Sequence, residues 1–246
     1  MGINKIKRQS VMKALKVKLF ADGAEKAGML EMYKNPLISG FTTNPTLMKK
    51  AGITDYKAFA LDILSVIKDR PISFEVFSDD FNEMERQAMD IASWGPNVNV
   101  KIPVTNTKAE SCYTLVENLS KKGVKLNITA MMTVEQVKHI LEPLSKGPGG
   151  YVSVFAGRIA DAGIDPVPVM TEVVRLLKDH SHIELIWASP RELFNIVQAD
   201  QIGCHIITAT NDILKKLPTL GKDLTEFSLE TVKMFYNDAT AAGFKI

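Results

Sequence analysis

The chain has little of the material that specialised protein classes require. Its two cysteines, Cys112 and Cys204, are too few for a disulfide framework. Four histidines leave little from which to build a zinc site. No apolar run approaches the roughly 18 uninterrupted residues that a membrane span needs. An excess of one charge is missing too, since 30 basic and 28 acidic side chains leave a formal +2. Charge therefore gives no reason to expect nucleic acid as a partner. These absences point to a reducing, cytoplasmic setting with no membrane, nucleic-acid or metal partner.

What the chain does have is an ordinary globular balance. Hydrophobic residues make up 46% and charged residues 24%, which argues against disorder, collagen-like repeats and coiled coil. Its 246 residues suffice for a sizeable core in one large domain. The first 21 residues contain no acid and carry Lys5, Lys7, Arg8, Lys13, Lys16 and Lys18. With no apolar signal core following, this segment reads as a short basic amphipathic helix before the first strand rather than a targeting or membrane-surface segment.

Short apolar or β-branched runs recur along the chain. They are Val17–Ala21, Ile38–Thr42, Ile72–Val76, Val98–Ile102, Val124–Ile128, Tyr151–Phe155, Ile183–Trp187 and His205–Thr208. Stretches of helical period lie between them: Tyr56–Asp69, Asn82–Trp94, Lys108–Lys122, Thr133–Lys146, Pro168–His180 and Pro190–Ala199. Alternating strands and helices imply parallel pairing through right-handed crossovers. Eight such units in about 250 residues fit an α/β fold of the (β/α)8 TIM-barrel kind. The structural rival, a doubly wound open sheet, usually announces a glycine-rich phosphate loop after its first strand. Here that strand runs into Phe20-Ala21-Asp22-Gly23-Ala24, which does not match. The spacing predicts a single domain over 1–246, with the barrel core over about 17–215. A carboxy-terminal helix over about 224–241 follows, suited to packing on a neighbouring subunit in a homo-oligomer.

In such barrels the chemistry sits at the carboxyl ends of the strands. The polar residues there are Asp22, then Thr42, Thr43 and Asn44, then Glu75, Lys101, Asn127 with Thr129, Ser153 with Arg158, Ser189 with Arg191, and Thr208. A purely structural barrel would fill inward positions with Val, Ile and Leu. Lys101 is the most informative, because it interrupts Val98-Asn99-Val100-Lys101-Ile102. A charged amine is costly to bury. Desolvation favours the neutral form, which is a nucleophile towards a ketone. An ion-paired lysine at a strand end is the competing reading. Asp22 and Glu75 strengthen the chemical one, because a Schiff-base aldolase needs carboxylates for two different proton transfers. Ordinary salt bridges to Lys101 are their alternative. Arg158 and Arg191, with the Ser189 hydroxyl, suit a phosphate monoester. Ser189-Pro190-Arg191 is predicted to open a helix whose backbone N–H groups face the anion. Surface ion pairing is the alternative for each arginine.

Five ordered stretches together resemble the transaldolase family of the class I aldolase superfamily, in its short form. They are Gly40-Phe41-Thr42-Thr43-Asn44-Pro45-Thr46, Val100-Lys101-Ile102-Pro103, Leu126-Asn127-Ile128-Thr129, Ser153-Val154-Phe155-Ala156-Gly157-Arg158-Ile159 and Ala188-Ser189-Pro190-Arg191. The resemblance covers roughly residues 17 to 210. It implies transfer of a dihydroxyacetone unit between sugar phosphates with no cofactor, in the setting of the pentose phosphate pathway. By that resemblance Lys101 forms the imine and Asp22 deprotonates the hydroxyl beside the bond that breaks. Glu75 shuttles protons through a water held by Thr129. Thr43, Asn44, Asn127, Ser153 and Phe155 surround the dihydroxyacetone unit, and Arg158, Ser189 and Arg191 hold the phosphate. A branch similar to fructose 6-phosphate aldolases shares the chain's length and its Lys-x-Pro-Val wording. That branch typically carries Gln at the position of Glu75 and Tyr at that of Phe155, so both residues lean towards transfer. Departures from the pattern are Pro190 for Phe and Val154 for Pro. A lyase releasing dihydroxyacetone, a relative acting on a modified ketose, and a barrel that only binds phosphosugars are the alternatives.

Cys112 and Cys204 read as small apolar fillers. His139, His180, His182 and His205 carry no catalytic assignment, and His205 reads as a satisfied core histidine. Gly147-Pro148-Gly149-Gly150 precedes a strand and reads as a turn rather than a phosphate cradle.

Overall fold

The computed structural model describes residues 15–246. Most of the basic opening segment lies outside the described residues. Eight strands form a closed, wholly parallel barrel in sequence order, with β1 (Lys18–Asp22) pairing both β2 (Ile38–Thr42) and β8 (Ile206–Thr210). Between them lie β3 (Ile72–Glu75), β4 (Val98–Pro103), β5 (Leu126–Met131), β6 (Gly150–Val154) and β7 (Ile183–Trp187). Each expected strand is present, so the fold is the TIM barrel.

The helices after each strand are α1 (Lys26–Tyr33), α2 (Pro45–Lys50), α3 (Tyr56–Val66), α4 (Phe81–Ala92), α5 (Tyr113–Lys121), α6 (Val134–Leu144), α7 (Ala156–Asp161), α8 (Pro166–Leu176), α9 (Phe194–Gln201) and α10 (Asn211–Leu214). Several of their starts are capped by side chains that satisfy otherwise orphaned N–H groups. Asn44, Asp55, Asp80 and Asp165 each accept from the first turn, and Thr133 with Gln136 forms a capping box. The short helices α1, α2 and α7 escape a periodicity reading because six to eight residues hold too few apolar repeats.

Two helices begin later than their apolar pattern suggests. Before α5 the chain folds back on itself, with Thr105 bridging Ser111 and the Asn106 amide oxygen holding the N–H groups of Lys108 and Glu110. Cys112 consequently stands just ahead of the helix, buried. The segment Ser189-Pro190-Arg191 does not open α9, which corrects the expected helix terminus. Ser189 adopts a left-handed φ of 60°, and Asn195 Oδ1 takes the N–H groups of Arg191 and Glu192 at 2.7 and 3.1 Å.

The pleat sorts the strand residues between two faces. Ile72, Phe74, Val98, Val100, Ile102, Leu126 and Ile128 are buried beneath the helices. Hydrogen bonds between strands two apart, Ser73 to Asn127 and Thr42 to Thr208, can form only across the barrel interior. Lower down, Phe20 (1% exposed) packs with Ile186, Ala188 and Ile206 and closes the barrel axis beneath the polar layer.

Residues 16–214 form one compact unit, while residues 215–246 belong to another. The second carries α11 (Leu224–Ala242), which starts on an Asp223 cap and ends at Gly243 with φ 67°. Among the described residues no helix is long and apolar enough to cross a membrane.

Candidate active site

Lys101 is the fourth residue of β4, and the pleat turns its side chain inward while Val100 and Ile102 pack outward. Its side chain is 7% exposed, with Nζ 2.8 Å from the Thr43 carbonyl oxygen and 3.0 Å from Glu75 Oε2. Glu75 is its register partner on β3, so the two side chains leave the sheet on the same face. The amine is therefore not isolated among apolar neighbours: it has a carboxylate and a carbonyl, the partners a buried cation requires.

Asp22 ends β1 at the same level. The Thr42 hydroxyl lies 2.7 Å from Asp22 Oδ1 and 2.6 Å from the Thr208 hydroxyl. Burial pushes the Asp22 carboxyl above its ordinary pKa of 3.8. The Lys101 charge and the Thr42 hydrogen bond counter part of that rise, and the nearby Glu75 carboxylate adds to it. Two carboxyl groups thus flank one amine in different environments, an arrangement suited to distinct proton-transfer duties.

On β5, the Thr129 hydroxyl is buried without a hydrogen-bond partner. A buried hydroxyl left unpaired is costly and rare, so a polar guest is its natural complement. One turn of the pleat below, Asn127 is fully buried. Its amide donates to Ser73 Oγ at 3.0 Å, and its oxygen accepts from Ser153 Oγ at 2.7 Å.

The cavity above this layer has a volume of about 550 Å³. Of the residues singled out in the sequence, Asp22, Asn44, Glu75, Lys101, Thr129 and Ser153 line it, joined by Phe155, Arg158, Ser189 and Arg191. Thr43 and Asn127 do not. The Thr43 hydroxyl is spent on the Ser73 carbonyl at 2.8 Å, and Asn127 lies in the floor beneath Ser153. Asn44 Oδ1 caps α2 through the Leu47 N–H at 3.0 Å, leaving its amide hydrogens to face the cavity.

At the rim, the Arg158 guanidinium stands 5.9 Å from the centre of the Phe155 ring. Arg191 lies on Asp161, with Nε 2.9 Å from Oδ1 and Nη2 on Oδ2. The close approach of α7 to the segment after β7 depends on Gly157, whose added Cβ would collide with the Ser189 carbonyl oxygen. Among the described residues, no group of three or more His, Cys, Asp or Glu side chains could hold a metal ion.

Sequence reasoning missed several contributors. Ser73 supports Asn127, and Tyr56 binds the backbone of Glu75. Lys50 lines the cavity, and Asp161 orients Arg191. Ser73 carried a legible signal, a small polar residue inside Ile72-Ser73-Phe74. The other three sit on helices, where nothing in the spacing marks them. Of the set-aside residues, Cys112 and Cys204 are buried as expected, whereas His205 is half-buried rather than in the core, its Nδ1 accepting from the Leu185 N–H at 3.0 Å.

A family model described as transaldolase/fructose-6-phosphate aldolase matches residues 19–246. A protein named "Probable transaldolase" from Dehalococcoides mccartyi is 35% identical, over 82% of this chain and 90% of its own length. Another of that name from a Thermoanaerobacter species is 33% identical, over 94% of this chain and 100% of its own. Among solved structures, a dihydrodipicolinate synthase from Rhodopseudomonas palustris superposes with a TM-score of 0.59 at 13% identity, covering 93% of this chain and 80% of that one. At that identity the likeness is one of fold.

Proposed function

This chain belongs to the transaldolase/fructose-6-phosphate aldolase family, and from that premise we propose that it moves a dihydroxyacetone unit between sugar phosphates through an imine on Lys101. A ketose phosphate such as fructose 6-phosphate is the donor and an aldose phosphate the acceptor. The observation that carries this reading is the Lys101 amine 3.0 Å from Glu75, inside a cavity that also holds Asp22 and two guanidiniums.

The steps follow from the groups present. Glu75 accepts the proton that Lys101 must lose before its lone pair attacks the ketone carbon. The same carboxyl, through a water hydrogen-bonded to the unpaired Thr129 hydroxyl, returns a proton to the departing hydroxide of the carbinolamine. The protonated imine draws electrons from the neighbouring carbon–carbon bond. Asp22, which burial makes a stronger proton acceptor than an exposed carboxylate, takes the proton of the adjacent hydroxyl as that bond breaks. An aldehyde leaves and an enamine remains on Lys101. The enamine adds to the acceptor aldehyde, whose new alkoxide takes its proton back from Asp22, and hydrolysis frees Lys101. Asn44 and Ser153 hold the dihydroxyacetone hydroxyls, Asn127 sets Ser153 from below, and Thr43 serves through its carbonyl. Arg158, Ser189 and Arg191 take the phosphate.

The apolar Phe155 favours transfer over release, because it adds no hydroxyl donor that would quench the enamine, and Glu75 leans the same way through the resemblance alone. The lyase alternative predicts equal turnover with and without erythrose 4-phosphate. Transfer requires the acceptor. Borohydride reduction in the presence of fructose 6-phosphate, followed by peptide mass mapping, tests the imine. A reduced sugar adduct on Lys101 is expected, and its absence there sinks the reading. We place the enzyme in the cytoplasm, where its two buried thiols stay reduced. We also assign it a homo-oligomeric state, because α11 buries none of its residues and presents Phe227, Val232 and Phe235 to solvent. Sedimentation at neutral pH checks that assignment.

A further inference from the structure

The β2–β3 ladder stops one rung short of Glu75, and a phenol takes the place of the missing strand. Phe41 N–H donates to the Pro71 carbonyl and Thr43 N–H to the Ser73 carbonyl. Continued by the parallel pattern, the Thr43 carbonyl would accept the Glu75 N–H, and the N–H at position 45 would reach the Glu75 carbonyl. Position 45 is proline, which has no N–H. The Thr43 carbonyl is turned to Lys101 Nζ, 2.8 Å away. Both backbone groups of Glu75 are met by one atom of α3, the Tyr56 hydroxyl, which accepts from the Glu75 N–H at 2.8 Å and donates to the Glu75 carbonyl at 2.9 Å.

The ring that carries this hydroxyl is held on several sides. Phe74, Phe77 and Trp94 meet it edge-on with centroids 6.2, 5.6 and 5.6 Å away. Burial raises the phenol pKa, so the hydroxyl keeps its proton and its donor role. We infer that Tyr56 is a positioning residue for the proposed imine chemistry: it replaces the last rung between β2 and β3, which fixes the Glu75 backbone and frees the Thr43 carbonyl, so that both partners of the Lys101 amine are set by one hydroxyl. This rests on the reading of Lys101 as the imine-forming residue. A merely structural tyrosine would need neither both bonds to one catalytic backbone nor the displaced carbonyl.

The test is a double-mutant cycle read by imine formation. Wild type, Tyr56→Phe, Glu75→Gln and the double variant are mixed with fructose 6-phosphate. Borohydride is added at intervals, and the adduct on Lys101 is counted by peptide mass. Tyr56→Phe is expected to slow adduct formation about tenfold or more, since displacement of a reacting group by an ångström costs up to about 100-fold. The half-saturating ketose concentration is expected to stay within about threefold of wild type, because the phosphate-binding groups are untouched. In the Glu75→Gln background the same change is expected to slow the reaction clearly less, because the part that acts through the Glu75 carboxylate is already lost and only the Thr43 carbonyl remains to be displaced. An unchanged rate in Tyr56→Phe overturns the inference while leaving the imine intact. An equal slowing in both backgrounds also overturns it, since the phenol then acts independently of Glu75. No adduct in wild type removes the imine reading and this one with it. Should Tyr56→Phe not fold, Phe77→Ala takes its place in the cycle. Phe77 is 64% exposed, and its loss loosens the ring without deleting the hydroxyl. The expected effect there is smaller, in the same direction, and again reduced with Glu75→Gln.

Discussion

Arg191 and Asp161 meet at the rim of the barrel in a two-point ion pair that joins the segment after β7 to α7. Both side chains are about half exposed, 47% and 53%. A pair so open to water contributes at most about 1 kcal/mol to stability. Its consequence is to hold the guanidinium in a fixed direction beside Arg158.

That arrangement separates two variants. If Arg191 holds the phosphate as proposed, Arg191→Ala removes a charge-assisted donor and is expected to raise KM for phosphorylated sugars about tenfold or more, in line with about 1.5–3 kcal/mol for such a bond. Asp161→Asn removes the orienting partner and, with its charge, an anion that would repel phosphate. These two effects oppose one another, so KM is expected to change less than about threefold on the scale of an exposed pair. Steady-state kinetics with phosphorylated and unphosphorylated ketoses decide it. Equal losses for both substrate types in Arg191→Ala would remove the phosphate assignment.

Lys101→Met deletes the amine and leaves the Glu75 carboxylate, 17% exposed, without its cation. The variant is expected to lose all sugar adduct. Removal of one partner from a buried pair typically costs about 3–5 kcal/mol, and the partial exposure here brings the expectation to about 1–3 kcal/mol. Lys101→Met/Glu75→Gln is expected to recover most of the stability and none of the activity. Urea denaturation at neutral pH measures the first, and turnover the second.

Asp22 supplies a pH signature. Its folded pKa lies above the ordinary 3.8 because burial outweighs the attraction of Lys101. The folded state therefore holds this proton over a window in which the unfolded state has lost it, and stability falls as pH rises through that window. Asp22→Asn removes the cost. At pH 7 the variant is expected to melt above wild type. Below pH 3.8, where both states hold the proton, the contribution of Asp22 ionisation to the difference disappears. Turnover is expected to drop by about 10²–10⁴, the usual contribution of a general base. Calorimetry across pH 3 to 8 would refute this with a pH-independent difference.

Gly40 is a place in the barrel that admits no side chain. A Cβ there would stand 2.5 Å from the Phe20 ring, itself 1% exposed. Gly40→Ala is expected to destabilise by about 1–3 kcal/mol, the usual cost of overpacking a filled core. Gly40→Ala with Phe20→Leu is expected to be less destabilised than the two single changes added together. Thermal melts of the three variants give the answer.

Much of this was legible in residue order alone. The eight strands, their parallel sense and the end of the barrel that carries polar groups follow from short β-branched runs separated by breakers. A lysine inside an apolar strand marks its own position, because burial makes it anomalous. The five ordered motifs sufficed for the family. What one dimension could not hold was the partnering. Thr43 carries the look of a ligand-binding hydroxyl, yet its hydroxyl is committed to Ser73 and its carbonyl to Lys101. Tyr56 lies 19 residues before Glu75 at the start of a helix, and only the crossover of α3 brings its hydroxyl to that backbone. Ser189 leaves the helical region at φ 60°, so the motif that reads as a helix start becomes a turn. Periodicity records which face of an element is buried. It carries no record of which polar atom meets which across a closed barrel, because those pairings form between strands and helices that are distant in sequence and meet only when the ring shuts.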